Sequence, residues 1–156
     1  MTGQTIQCVV IFADVAGSTA MYENLGDVEA RGRISKALDS LITVSKKHKG
    51  TLVKTIGDEI LVIFGDVDLS LIAARAMQEE MEDDSSPETV GLSIRIGMHY
   101  GPVIREENDI FGDTVNVAAI HGRTIQVLPN DLVGFLIRMC DPARNLPHEG
   151  LGVQKR

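Results

Sequence analysis

Thr51-Leu52-Val53-Lys54-Thr55-Ile56-Gly57-Asp58-Glu59-Ile60-Leu61-Val62-Ile63-Phe64 is the stretch that decides the fold. Two runs rich in β-branched and apolar residues, Thr51 to Thr55 and Ile60 to Phe64, flank Ile56-Gly57-Asp58-Glu59 and pair as a hairpin. Helical spacing stands on either side. Ile34, Leu38, Leu41 and Ile42 repeat at helical intervals from roughly Val28 to Lys47, a segment that ends on basic residues before Gly50. Beyond the hairpin, Leu69, Ile72, Ala73, Ala76 and Met77 mark a helix from about Asp66 to Met81, closed by the polar loop Asp83-Asp84-Ser85-Ser86-Pro87. Farther out, the nearly unbroken apolar run Ile6 to Ala13 reads as a buried strand. Leu92, Ile94, Ile96 and Met98 alternate with Ser93, Arg95, Gly97 and His99, as in a half-covered strand.

The order β-α-β-β-α-β predicts an α+β domain of ferredoxin-like arrangement, with helices on one face of an antiparallel sheet. The first strand and the second hairpin strand are apolar on both faces, so something must cover the other side, most simply a second copy of the chain. The chain of 156 residues, 44% hydrophobic, can bury a sizeable core. No apolar run approaches the ~20 residues of a membrane span, and the N-terminus lacks a signal-peptide pattern. Two distant cysteines, Cys8 and Cys140, make no disulfide framework, which fits a cytoplasmic setting. A net charge of −7 disfavours a nucleic-acid polymer as partner and leaves a single nucleotide open.

Two carboxylates stand where strands end: Asp14 in Phe12-Ala13-Asp14-Val15-Ala16-Gly17-Ser18-Thr19, and Asp58 in Lys54-Thr55-Ile56-Gly57-Asp58-Glu59. Each alone is an ordinary turn residue. In a βαββαβ sheet, however, the first strand and the hairpin are central neighbours, so the two carboxylates converge, and a hard divalent cation relieves their repulsion. Gly17-Ser18-Thr19 opens a helix with Ser18 or Thr19 as N-cap. In Asp109-Ile110-Phe111-Gly112-Asp113-Thr114-Val115-Asn116-Val117-Ala118-Ala119, Asp113 is read as the cap of a short helix that Gly122 ends.

These three segments together resemble the class III nucleotidyl cyclase catalytic domain, over residues 6–119. The resemblance implies that Asp14 and Asp58, with the Val15 carbonyl, bind two divalent cations, Mg²⁺ or Mn²⁺. It implies further that the turn Ala16-Gly17-Ser18-Thr19 offers amides to a triphosphate, a setting helix N-termini favour. One cation would activate the ribose 3′-hydroxyl for attack on the α-phosphate, and the other would neutralise the departing pyrophosphate. Lys54 and Asp109 would read the purine from the opposite subunit, and Asn116 would orient the ribose. A lysine donor with an aspartate acceptor matches adenine. The resemblance therefore implies a homodimeric adenylate cyclase making 3′,5′-cyclic AMP from ATP, with no membrane segment in this chain.

The chain departs from the family pattern at Ile120, where an arginine would stabilise charge on the transferred phosphate. The reading divides it into a catalytic core, 1–119, and a divergent C-terminal segment, 120–156, that holds three of the five prolines and is net basic. Frameshift, truncation and divergence all fit that segment; within it Leu132 to Met139 reads as strand or helix, and Asn145 to Arg156 as a loose tail. A degenerate cyclase-homology module that dimerises or binds nucleotide without turnover is the alternative. A diguanylate cyclase fits less well, since Ile56-Gly57-Asp58-Glu59-Ile60 lacks that family's second glycine and terminal phenylalanine. A P-loop NTPase is excluded because no GxxxxGK[ST] occurs.

Overall fold

The computed structural model describes residues 3–82 and 92–124. The expected loop from Asp83, the expectations for Leu132 to Met139 and Asn145 to Arg156, and Cys140 lie outside the described residues. Nine elements follow in order: β1 (Gln4–Ala16), α1 (Ser18–Leu25), α2 (Asp27–Lys47), β2 (Thr51–Ile56), β3 (Glu59–Phe64), α3 (Val67–Glu82), β4 (Ser93–Arg105), β5 (Ile110–Phe111) and α4 (Asp113–Thr124). The strands form one antiparallel sheet in the order β2-β3-β1-β4-β5, the expected ferredoxin-like core with one short strand added at the β4 edge.

Alternation along β1 sorts its side chains onto two faces. Val9, Ile11, Ala13 and Val15 join Val62, Phe64, Ile94, Ile96 and Met98 in the larger cluster. There Ile34, Leu38 and Leu41 of α2 and Ala73, Ala74 and Met77 of α3 close over them. Each large side chain fully buried in this way contributes on the order of 1.5–3 kcal/mol. Ending α2 takes two residues of different kinds. Lys49 adopts the left-handed conformation at φ 65, with the Gly50 amide returning to the Ser45 carbonyl at 2.8 Å. Gly50 is needed for space instead, because a Cβ there would stand 2.6 Å from the Phe64 ring.

The opposite face carries Cys8, Val10, Phe12, Leu61, Ile63 and Val103 in a second, smaller cluster. Part of the cover expected for this face, most simply from a second copy, comes from within the chain: α4 lies on it through Val115, Ala118 and Ala119. The approach is close because Gly101 has no side chain. A Cβ at that position would stand 2.5 Å from the Thr114 hydroxyl, which donates to the Pro102 carbonyl at 2.8 Å. Two end signals also differ. Asp113 stands inside the first turn of α4, and the carbonyl of Gly112, at φ 133, accepts the Val115 amide at 3.1 Å. The helix also runs through Gly122 to Thr124, since one glycine costs only about 1 kcal/mol inside a helix. None of the described helices is long and apolar enough to cross a membrane.

Candidate functional site

Asp14 occupies the same face of β1 as Val10 and Phe12, one pleat beyond the apolar cluster. Its cross-strand neighbours are Glu59 on β3 and Arg95 on β4, so the three form a polar row where the apolar row Leu61–Phe12–Gly97 ends. Asp58 comes into place through the β2–β3 turn. Ile56 pairs with Glu59, leaving Gly57-Asp58 as a two-residue loop, and Gly57 takes φ 60 at the first position, where such hairpins favour glycine. The Val15 amide donates to the Asp58 carbonyl at 3.1 Å, tying the turn to the end of β1. Asp14, Asp58, Glu59 and Arg95 thus border one cavity of about 340 Å³, with Phe12 and Ala119 as its apolar walls.

Each carboxylate is engaged. The Arg95 Nη2 donates to Asp14 Oδ2 at 2.6 Å, and the Ser18 hydroxyl donates to Asp58 Oδ2 at 2.5 Å. The hydrogen bond to Asp14 holds the Arg95 guanidinium in its charged form still more firmly than usual, and the charges of Asp14, Asp58 and Glu59 add to that. Ser18 is therefore no cap of α1. Gly17, left-handed at φ 75 and ψ 17, is the N-cap, and no side chain caps the helix. The hydroxyl of Ser18 points to a turn 40 residues away instead. The amides of Gly17, Ser18, Thr19 and Ala20 belong to the first turn, which has no intrahelical acceptors, and Met21 is the first to bond back, to Gly17 at 3.1 Å.

The residues expected at the purine assemble elsewhere. Lys54 lies beside Leu61, on the face that α4 covers. Its ammonium donates to Asp109 Oδ2 at 2.5 Å, joining the β2 edge to the β4–β5 turn at the far edge of the sheet. That contact requires a curled sheet. The Lys54 hydrogen bond, helped by the Ile110 amide at 2.8 Å, holds the Asp109 carboxyl below its ordinary value of 3.8. Asn116 and Ile120, one turn apart, are both on the exposed side of α4 and do not border the cavity of Asp14 and Asp58.

Among the described residues no group of three or more His, Cys, Asp or Glu side chains could hold a metal ion. Two carboxylates on one cavity still fit a hard cation that takes its remaining oxygens from a nucleotide, which is how Mg²⁺ is commonly held. The sequence reading missed Arg95 and Glu59. The alternation along β4 did place Arg95 on the face away from the core; the strand register, which sets it against Asp14, was the missing piece.

Comparisons with known proteins bear on this site. The family model described as "Adenylate and Guanylate cyclase catalytic domain" matches residues 1–125. An adenylate cyclase of Streptomyces coelicolor is 32% identical over 124 residues, 78% of this chain and 30% of that protein. The chain thus spans about a third or less of the curated relatives it matches first. In fold it is similar to the monomeric guanylyl cyclase domain of the RhoGC fusion protein from Blastocladiella emersonii, with a TM-score of 0.72 and 22% identity, covering 80% of this chain and 79% of that one. A bacterial light-regulated adenylyl cyclase gives a TM-score of 0.71 at 21% identity, covering 80% of this chain and 41% of the other.

Proposed function

Since the chain belongs to the adenylate and guanylate cyclase catalytic domain family, we propose that it is the catalytic module of an adenylate cyclase, acting as a homodimer. In the reaction the ribose 3′-oxygen of ATP bonds to the α-phosphorus, the bond from that phosphorus to the β-phosphate oxygen breaks, and the hydroxyl proton passes to solvent. The products are 3′,5′-cyclic AMP and pyrophosphate. Divalent cations, when bound at Asp14 and Asp58, supply charge neutralisation for the triphosphate and acidify the attacking hydroxyl.

The observation that carries the proposal is the separation of two half-sites within one chain. Asp14 and Asp58 border one cavity, while Lys54 and Asp109 hold each other at another part of the same sheet face. Neither half is a complete nucleotide site. Two chains facing one another through this sheet face would each supply the half that the other lacks, as the resemblance implies. Lys54 and Asp109 already stand as a donor beside an acceptor, the pair that adenine's ring nitrogen and amino group require, and guanine presents the reverse pattern. The first-turn amides of α1, beginning at Gly17 beside Asp58, supply an anion-binding edge for the phosphates.

Ile120 favours a second reading. It stands 59% exposed on α4, an apolar side chain where the family pattern has a cation. A module that binds nucleotide without turnover would tolerate that. Mass-spectrometric assay of the purified chain with ATP or GTP and Mn²⁺ separates these readings. Cyclic AMP from ATP, abolished by Asp58→Ala, supports the adenylate cyclase. Cyclic GMP as the main product would sink the adenine assignment. Nucleotide binding with no cyclic product would establish the non-catalytic module, and rescue by Ile120→Arg would localise the defect to that position.

A further inference from the structure

Asp14 reaches its Arg95 partner by direct cross-strand pairing, yet the contact is poorly made. A guanidinium and a carboxylate that serve as a permanent bridge usually meet through two parallel N–H···O bonds. Here a single bond, Nη2 to Oδ2, is formed, and Arg95 Nε is buried with no hydrogen-bond partner among the described residues. The pair is also wet: the side chains are 39% and 18% exposed, so water and salt weaken it. Asp14, Asp58 and Glu59 border the same cavity as this guanidinium.

We propose that Arg95 is a built-in counter-ion of the cation site, holding Asp14 in the metal-free chain and giving it up when a divalent cation binds. Arg95 thereby sets how tightly the site takes that cation. The proposal rests on the reading of Asp14 and Asp58 as cation ligands. A cation drawing on both Asp14 oxygens competes with the Nη2 bond to Oδ2, and a dication repels the guanidinium beside it. The long arginine side chain has rotamers that free the carboxylate without moving β4, while the unpartnered Nε makes the metal-free pose a loose one. Arg95 is a positioning residue here, acting through Asp14.

Titrating Mn²⁺ alone into the full chain, with the free ion followed by electron paramagnetic resonance, tests this directly. Arg95→Gln is expected to tighten Mn²⁺ binding by on the order of tenfold, through removal of both the competing bond and the repulsion. Arg95→Lys should stay near the unsubstituted protein. In an Asp14→Asn background the Arg95→Gln effect should shrink to the part owed to direct repulsion, a dependence that a merely structural arginine would not show. Arg95→Met, which keeps the hydrocarbon stem, replaces Arg95→Gln should thermal melting show the latter unfolded. Unchanged or weaker Mn²⁺ binding in both charge-removing variants overturns the proposal while leaving the cation site standing. Absence of any Asp14-dependent Mn²⁺ binding, with and without Arg95, overturns the cation site itself and this inference with it.

Discussion

The two faces of the sheet are built from the same strands and do different work. Toward α2 and α3, every second residue of β1 is apolar from Val9 to Val15, and the cluster there continues without a polar break. Toward α4, the alternate residues run Cys8, Val10, Phe12 and then Asp14, so the apolar floor ends in a row of charges. The first face is closed by long helices carrying Leu41 and Met77, the second by a short one that docks through alanines and a valine. Even the cysteine fits that contrast: Cys8 is packed as an apolar residue, and burial pushes its thiol up to about 11. Stability therefore resides mainly on one face and the candidate chemistry on the other, with a single-residue shift of register sufficient to exchange them.

Three substitutions probe that division. The largest loss of stability is expected from the helix-side face. Phe64→Ala should cost about 3–5 kcal/mol in urea unfolding, because its side chain is 1% exposed in the larger cluster. A loss under 1 kcal/mol would mean that this face is not the principal core. On the other face, Gly101→Val puts carbon where the Thr114 hydroxyl sits and should push α4 outward at a cost of about 1–3 kcal/mol. The informative readout is hydrogen exchange: faster exchange confined to α4 sharpens the contrast, whereas loosening of α2 as well would show that the two faces unfold together.

The smallest effect is electrostatic. Lys54 holds the Asp109 pKa down, so the pair's contribution is fully present above the ordinary value of 3.8 and fades as pH falls through the lower folded value. Both partners are partly exposed, at 40% and 30%, which limits the contribution to about 0.2–1 kcal/mol. Lys54→Met should lower stability by that amount at pH 7 and by nothing measurable at pH 2. An undiminished difference at pH 2 would show that the lysine stem, and not the ion pair, links the two edges of the sheet.

Asp14 and Asp58 were legible in the sequence because each interrupts an apolar strand at a turn, and a charged residue at such a place stands out against the alternation. Lys54 and Asp109 were marked, and placed at one purine, by family spacing; the direct bond between residues 55 apart was not visible. Arg95 escaped notice for a related reason. Period-two alternation gives the face of a residue and says nothing about which residue of the neighbouring strand lies opposite. The cover supplied by α4 was hidden by size: β5 has two residues, too few for a periodic signal, and it turns the chain back over the second face. Ser18 misled as a cap because its hydroxyl serves a distant carboxylate, while a left-handed glycine fills the local role.

By itself the sequence determined the βαββαβ elements, their order and the two strand-end carboxylates, because periodicity and turn chemistry are local properties that survive without a fold. Only the tertiary structure decided that α4 covers part of the second face, that Arg95 stands against Asp14, and that Lys54 and Asp109 bond directly from opposite edges of the sheet. Each of these depends on strand register and sheet curl, which are set by the packing of many side chains at once and are carried by no short stretch of the chain.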